Sequence, residues 1–372
     1  MSTDKAIIES LLSGTGITID GPEPWDIHIK NSKFYRRVLC DGSLGLGESY
    51  MEGWWECKAL DEFFCKLFSK EIEKKISGNF NFKLQILKTK LFNLQTKKKS
   101  RNSIASHYDI GNDLYKKMLD PLMMYSCGYW KGVPTLHQAQ EQKLKLICEK
   151  LHLKPGQKVL DIGCGWGGFA YYAAKNYKVN VVGITISRRQ HEIAKMGCNG
   201  LNVEIRLQDY RDIDEPFDRI VSIGMLEHVG HKNYTAFMKT INKNLTDTGI
   251  CLLHFIGGNE TAQTLDAWIN KNIFPNGLIP SLAQIGKAME NQLIIEDLHN
   301  IGTHYDYTLM AWYHNFINSW EELKENYNDT FCRMWTYYLM CSAASFRSRR
   351  LNLWQIVARK TGRFMEYQPV RF

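Results

Sequence analysis

The sequence predicts an α/β domain with a mainly parallel sheet and helices on both faces, preceded by a small, mainly helical domain. Three observations carry this reading. From about residue 155, short apolar runs alternate with helical segments, as in sheets built through crossover helices. A glycine-rich turn, GCGWGG over 163–168, follows the first of those runs and opens a helix. Ahead of it, the first seventy residues show helical rather than alternating periodicity, and a lysine-rich stretch ends that region. The boundary is placed so that residues 1–99 form the N-terminal domain with its basic linker and 100–372 form the α/β domain.

The elements follow in order. AIIESLLSGTG (6–16) reads as a helix closed by Gly14 or Gly16. PWDIHIKNSKFYRRVL (24–39) contains one alternating, strand-like piece. GLGESYMEGWWE (45–56) mixes glycine with aromatics, and LDEFFCKLF (60–68) is apolar at helical spacing. Between Lys70 and Arg101 ten basic residues are opposed only by Glu71 and Glu73, with Phe80, Phe82, Leu84, Ile86 and Leu87 among those interleaved. Such a segment suits an anionic membrane surface; it equally suits a solvated connector. KVLDIG (158–163), VNVVGITI (179–186), VEIRLQD (203–209), DRIVSIGM (218–225) and GICLLHFIG (249–257) read as strands, with helices over 168–176 and 188–196 between them. Ligands of such sheets bind at the carboxyl ends of the strands.

Composition narrows the class. The 372 residues suffice for one large and one small domain, and the net charge of +8 fits either an anionic partner or simple solubility. None of the ten cysteines forms a CxxC pair, so no zinc framework and no metal site is expected. Free thiols fit a reducing cytoplasm. There is no basic segment leading into an apolar run at the N-terminus, and no stretch nears the ~18 apolar residues that span a bilayer.

The glycine turn raises a choice between a phosphate-bearing dinucleotide and a ligand without phosphate. Asp161 closes the strand before the first glycine. A carboxylate there repels pyrophosphate and welcomes a cationic amino-acid group. The second strand ends without the acid that grips the ribose of a nicotinamide cofactor. After the third strand comes QDY (208–210), where an amide or carboxylate meets an adenine edge. S-adenosylmethionine, with an adenosine, a sulfonium and a zwitterionic tail, fits all three. The missing acid also departs from the usual methyltransferase pattern, so Thr185, Ser187 or Gln190 would have to take the ribose.

The longer motifs point further. HYDIGNDLYKKMLDPLMMYSCGYW (107–130), LKPGQKVLDIGCGWGGFA (153–170), LQDYRD (207–212), DRIVSIGMLEHVGHKNY (218–234), LLHFIG (252–257), WINKNIFPNG (268–277), YDYTLMAWYHNF (305–316) and RMWTYYLMCSAASFRSR (333–349) resemble the cyclopropane-fatty-acyl-phospholipid synthases and, more distantly, the mycolic acid cyclopropane synthases. The match runs in order over 100–372; the N-terminal hundred residues match loosely. The resemblance implies a Rossmann-like methyltransferase fold. It also implies transfer of a methylene from S-adenosylmethionine across a cis double bond of a phospholipid acyl chain. The reaction would pass through a carbocation deprotonated by a bound bicarbonate ion.

Carried over by motif, the catalytic group is Cys127, Glu227, His254, Tyr305 and Ile256, the last through its backbone. For the cofactor, Tyr125 and Ser126 approach the methionine end, and Asp161, Gly163, Gly165, Gly167 and Gly168 pass beneath sulfur and ribose. Thr185, Ile186 and Gln190 hold the ribose, and Asp209 with Tyr210 the adenine. Aromatic faces stabilise a cation without quenching it; Tyr125, Tyr129, Trp130, Trp268, Phe274, Tyr305, Trp312 and Tyr313 are eligible, although core packing claims most of them. The resemblance further implies a homodimer and a cytoplasmic enzyme, peripheral on the inner face of the membrane. The alternative is a lipid or small-molecule methyltransferase giving a simple methyl product. A nucleic-acid partner is disfavoured, because YSCGYW and WINKNIFPNG are apolar and aromatic where a polar, basic pocket would be needed.

Overall fold

A computed structural model of the chain describes residues 3–69, 111–362 and 366–372. The basic stretch of 70–101 and the first residues of the HYDIG motif lie outside the described residues. The N-terminal part comprises α1 (Thr3–Leu12), β1 (His28–Ile29), α2 (Lys33–Asp41), α3 (Ser43–Met51), β2 (Trp55–Glu56) and α4 (Leu60–Ser69). The strand-like piece is real but reduced to two residues, paired antiparallel with β2. α5 (Asn112–Met118) and α6 (Leu136–Lys150) lead into the sheet. Thr135 caps α6, its hydroxyl accepting from the Gln138 N–H.

The sheet then alternates as the sequence predicts: β3 (Lys158–Ile162), α7 (Gly168–Tyr177), β4 (Asn180–Thr185), α8 (Arg188–Gly197), β5 (Val203–Leu207), β6 (Phe217–Ile223), α9 (Leu226–Val229), α10 (Tyr234–Asn244) and β7 (Leu245–Gly258). There follow α11 (Ala267–Asn272), α12 (Leu282–Met289), β8 (Leu293–Asn300), α13 (Thr303–Asn318), α14 (Trp320–Leu323), α15 (Asp329–Arg347) and β9 (Leu351–Lys360). The seven strands lie in the order β5-β4-β3-β6-β7-β9-β8. The first five are parallel, and β9 runs antiparallel between β7 and β8.

Chain direction reverses its walk across the sheet between β3 and β6, which opens a crevice at their carboxyl ends. The apolar runs behind this layout are buried on both faces: Val159, Leu160 and Ile162 of β3 and Ile220 and Val221 of β6 are all 1% exposed or less. The two C-terminal strands are an addition to the sequence reading. They carry no glycine turn of the kind that follows β3, and they pair antiparallel, with the helices α13, α14 and α15 between them.

The N-terminal part packs onto α15. Trp55, Phe63 and Phe64 are at most 1% exposed; Trp55 is tilted against Tyr50 and Phe63, and Phe64 meets Tyr337 edge-on. Arg333 of α15 reaches across the join. Its guanidinium donates to the Tyr50 carbonyl at 2.5 Å, the Trp55 carbonyl at 3.1 Å and the Glu56 carboxylate at 3.0 Å. Gly47 of α3 lies under Trp268, close enough that any side chain there would collide with the indole. Among the described residues no helix is long and apolar enough to cross a membrane.

Candidate active site

The crevice is lined by five segments. Met123, Met124, Tyr125 and Ser126 come from the segment between α5 and α6; Asp161 and the glycine turn come from β3. Thr185, Ile186 and Gln190 follow β4, and Gln208, Asp209, Tyr210 and Arg211 follow β5. Gly224, Met225 and His228 close it after β6. Gly163 and Gly165 have φ of +81° and +56°, a region that admits glycine readily. Nothing lies within 4 Å of a Cβ built on Gly165, so a ligand can press against bare backbone there.

Eleven of the twelve residues expected around the cofactor line this crevice; Gly167 does not. It is the N-cap of α7, and a Cβ on it would face Ala194 of α8 and Cys198, which caps that helix. Its role is helix–helix approach. Thr185 donates its hydroxyl to the Gln190 side-chain oxygen at 2.9 Å, and both residues line the crevice. Ser187 instead caps α8 through the Gln190 N–H. Asp209 is held in a two-pronged pair with Arg211, both bonds 2.8 Å, so its carboxylate is oriented by Arg211.

Asp161 is 2% exposed and its Oδ2 meets no hydrogen-bond partner among the described residues. Burial pushes its carboxyl up to about 7, against the pull of Lys143. A buried carboxyl with an open oxygen beside a glycine cradle suits a cationic group on a ligand. The donor set, the open glycines and this acid together fit S-adenosylmethionine.

Beside the crevice lies a second constellation. Glu227 of α9 accepts the Ile256 N–H at 2.7 Å on Oε1, while Oε2 is covered and unpartnered among the described residues. Burial pushes this carboxyl up to about 7, with the Ile256 bond opposing the shift. The Ile256 N–H thus already has a protein acceptor, a commitment the motif alone did not disclose. His254, two residues earlier on β7, is 1% exposed. The Gln355 amide nitrogen lies 3.2 Å from His254 Nδ1. An amide N–H donates, so Nδ1 accepts and the ring proton sits on Nε2, which is itself buried and unpartnered. Burial holds this imidazole neutral, well below its usual range.

Cys127 is fully buried; its thiol lies 3.1 Å from the Gly128 carbonyl and is pushed up by burial. The same loop is fastened to α13, where Thr308 accepts the Gly128 N–H at 3.0 Å and the Trp130 indole N–H at 2.9 Å. Tyr305 stands one turn earlier on α13, with its ring 5.9 Å from Trp312, which in turn is 5.0 Å from Tyr125. A direct bond joins Glu227 to Ile256, whereas the Cys127 loop is tied through Gly128 to Thr308, His254 lies against Gln355 and Tyr305 packs on Trp312.

Of the eight eligible aromatics, Tyr125, Tyr305 and Trp312 form one connected wall, and Phe274 joins it through Tyr338. The Tyr338 hydroxyl lies 2.9 Å from that of Tyr125, and its ring 5.9 Å from that of Phe274. Trp268 packs on Tyr337 and Gly47, and Tyr129 packs on His304. Core packing claims those two, as expected.

Sequence reasoning missed two residues of α6. Gln140 and Lys143 are both fully buried. Gln140 donates to the Ser126 carbonyl at 2.8 Å, and Lys143 donates to the Ser126 hydroxyl at 2.8 Å. The signal was present: both sit in helical register with Leu136 and Ile147, polar residues within an apolar stripe.

Comparison with known proteins places this geometry. A family model described as mycolic acid cyclopropane synthetase matches residues 95–356. The chain is 54% identical over 351 residues to the cyclopropane-fatty-acyl-phospholipid synthase of Escherichia coli (strain K12), covering 94% of this chain and 92% of that protein. It is similar in structure to the cyclopropane synthase MmaA2 from Mycobacterium tuberculosis, with a TM-score of 0.67 and 29% identity over 72% of this chain and 100% of the other. The mycolic acid cyclopropane synthase CmaA1, solved with S-adenosylhomocysteine and CTAB, gives a TM-score of 0.65 and 31% identity over 70% and 98%.

Proposed function

The chain belongs to the mycolic acid cyclopropane synthetase family and is an S-adenosylmethionine-dependent transferase, and we propose that it adds a methylene across cis double bonds in phospholipid acyl chains, with bound bicarbonate as the base. One observation carries the reading. Two buried polar ends, Glu227 Oε2 and His254 Nε2, stand unpartnered among the described residues at the carboxyl edge of the sheet, next to the cofactor crevice. Leaving such groups unsatisfied costs about 1–3 kcal/mol each, which a small anion with its own O–H would recover. His254 would donate to it; Glu227 would accept its O–H.

S-adenosylmethionine supplies an electrophilic methyl group, and bicarbonate a base that takes one proton from the transferred carbon. The chain's own residues do the rest. Asp161, Ser126 and the glycine turn orient the methyl donor; orientation of this kind supplies much of the acceleration of a poor nucleophile such as an alkene. Tyr125, Tyr305 and Trp312 wall the reacting carbons from water and present π faces to positive charge, each worth about 0.5–2 kcal/mol. Glu227, with its carboxyl near neutrality, receives the proton outward. The Leu278 N–H donates to the Glu227 carbonyl at 2.8 Å, so the FPNGLIP loop holds the acid in place.

The net charge of +8 and the basic stretch of 70–101 support docking on an anionic membrane from the cytoplasmic side, and the same reading makes the working unit a homodimer. The base assignment is tested by turnover in buffer stripped of carbon dioxide. Activity is expected to fall by at least tenfold and to return on adding bicarbonate with saturation. A rate indifferent to bicarbonate in the stripped buffer would remove it from the mechanism.

A further inference from the structure

We propose that Lys143 is a positioning residue for the zwitterionic tail of the cofactor: it sets the Ser126 hydroxyl as a donor to the tail's carboxylate, opposite Asp161. The proposal rests on the cofactor named above and on four observations. First, Lys143 is fully buried on α6, where an unopposed ammonium is expensive. Second, among the described residues its Nζ makes one bond, to Ser126 Oγ at 2.8 Å. Third, among the described residues no ion pair joins Lys143 to Asp161, although each shifts the other's titration. Two buried opposite charges thus feel each other without closing. Fourth, Ser126 and Asp161 both line the crevice, and the open Oδ2 belongs to Asp161.

The polarity of Ser126 follows from Lys143. An ammonium has three donors and no acceptor, so Ser126 Oγ must accept from it. The serine's single proton is then left to donate into the crevice, which is what a carboxylate requires. Burial lowers Lys143 to about 8, with Asp120 the largest opposing pull, so the ammonium form prevails at neutral pH. Gln140, one turn earlier, fixes the Ser126 backbone from the same helix face. Lys143 is thereby a positioning residue: it acts on the cofactor through Ser126.

Two probes separate this role from simple packing. S-adenosylhomocysteine carries the zwitterionic tail; 5′-methylthioadenosine keeps the adenosine and sulfur but has no tail. Titration calorimetry of the full chain with both, in the wild type and Lys143→Met, is the test. The variant is expected to bind S-adenosylhomocysteine about 10- to 100-fold more weakly, the range for a lost charge-assisted bond. Its affinity for methylthioadenosine is expected to stay within twofold. Equal losses for both probes, or no loss for S-adenosylhomocysteine, would overturn the proposal. Should Lys143→Met fail to fold, Lys143→Leu, which likewise has neither donor nor charge, carries the same comparison and the same two outcomes. Neither lipid nor bicarbonate enters the measurement, so a failure of the reaction proposed above would leave this result standing.

Discussion

Glu227→Gln is expected to lower kcat by about 10²- to 10⁴-fold, the usual worth of a positioned proton-transfer group, while S-adenosylhomocysteine affinity stays within twofold. The substitution is nearly isosteric. A Gln oxygen can still accept the Ile256 N–H that Glu227 Oε1 takes at 2.7 Å, so the loop keeps its shape. What disappears is the capacity to receive a proton.

The same variant makes a second, opposite demand. Burial lifts the Glu227 carboxyl from its usual 4.5 to about 7 in the folded protein. The folded state therefore holds this proton where the unfolded chain has lost it. The associated stability is full below pH 4.5 and is lost as pH rises through about 7, a total on the order of 3 kcal/mol. Glutamine never ionises, so Glu227→Gln should melt higher than the wild type at pH 8 and about level with it at pH 4.5. In the wild type kcat should rise as pH rises through about 7, where Glu227 becomes the acceptor. A variant that is both fully active and no more stable at pH 8 would show that Glu227 is neither buried nor catalytic in the sense argued.

Gly168→Ala should abolish cofactor binding, with at least a 100-fold loss for S-adenosylhomocysteine. Gly168 opens α7 directly beneath the segment that carries Tyr125 and Ser126. A methyl group there would overlap the Leu122 carbonyl and lie 2.5 Å from the Met124 sulfur. The carbonyl is backbone and cannot swing aside like a side chain, so the whole segment must lift. Overpacking of this kind costs about 1–3 kcal/mol of stability, read as a few degrees in Tm. Gly286→Ala is the control. It sits in α12 with nothing within 4 Å of the added carbon, and should raise stability slightly, since alanine favours helix over glycine by about 1 kcal/mol. Comparable melting and binding in the two variants would mean that the glycine turn is not pressed against the cofactor loop.

Much of this site was legible in the sequence because it is made of short-range signals. An apolar run ending in Asp161 and a glycine turn can be read from adjacent residues, and so can the Thr185–Gln190 segment after the next strand. The motifs YSCGYW, MLEHVG and LLHFIG singled out Cys127, Glu227 and His254 as candidates by resemblance. What escaped was set by tertiary geometry. Nothing local tells that Ile256's N–H will find Glu227, since 29 residues separate them. Gly167 follows the same pattern as its neighbours yet faces α8, because successive residues of a turn point different ways. The strands β8 and β9 were missed because they pair with each other and with β7 at long range, without a local hairpin turn. Lys143 looked like one of many lysines until burial distinguished it; its helical phase with Leu136 and Ile147 was the one clue available.

The decisive measurement combines the purified chain with vesicles of a cis-unsaturated phospholipid and S-adenosylmethionine carrying deuterium on its methyl group, and follows the recovered fatty acids by mass and by proton resonance. Acyl chains should gain one carbon carrying two of the three deuteriums, lose their olefinic protons and show the high-field signals of a three-membered ring. Chains that retain all three deuteriums as a methyl branch, or label found only in water-soluble products, would contradict ring closure within a dry pocket beside Glu227.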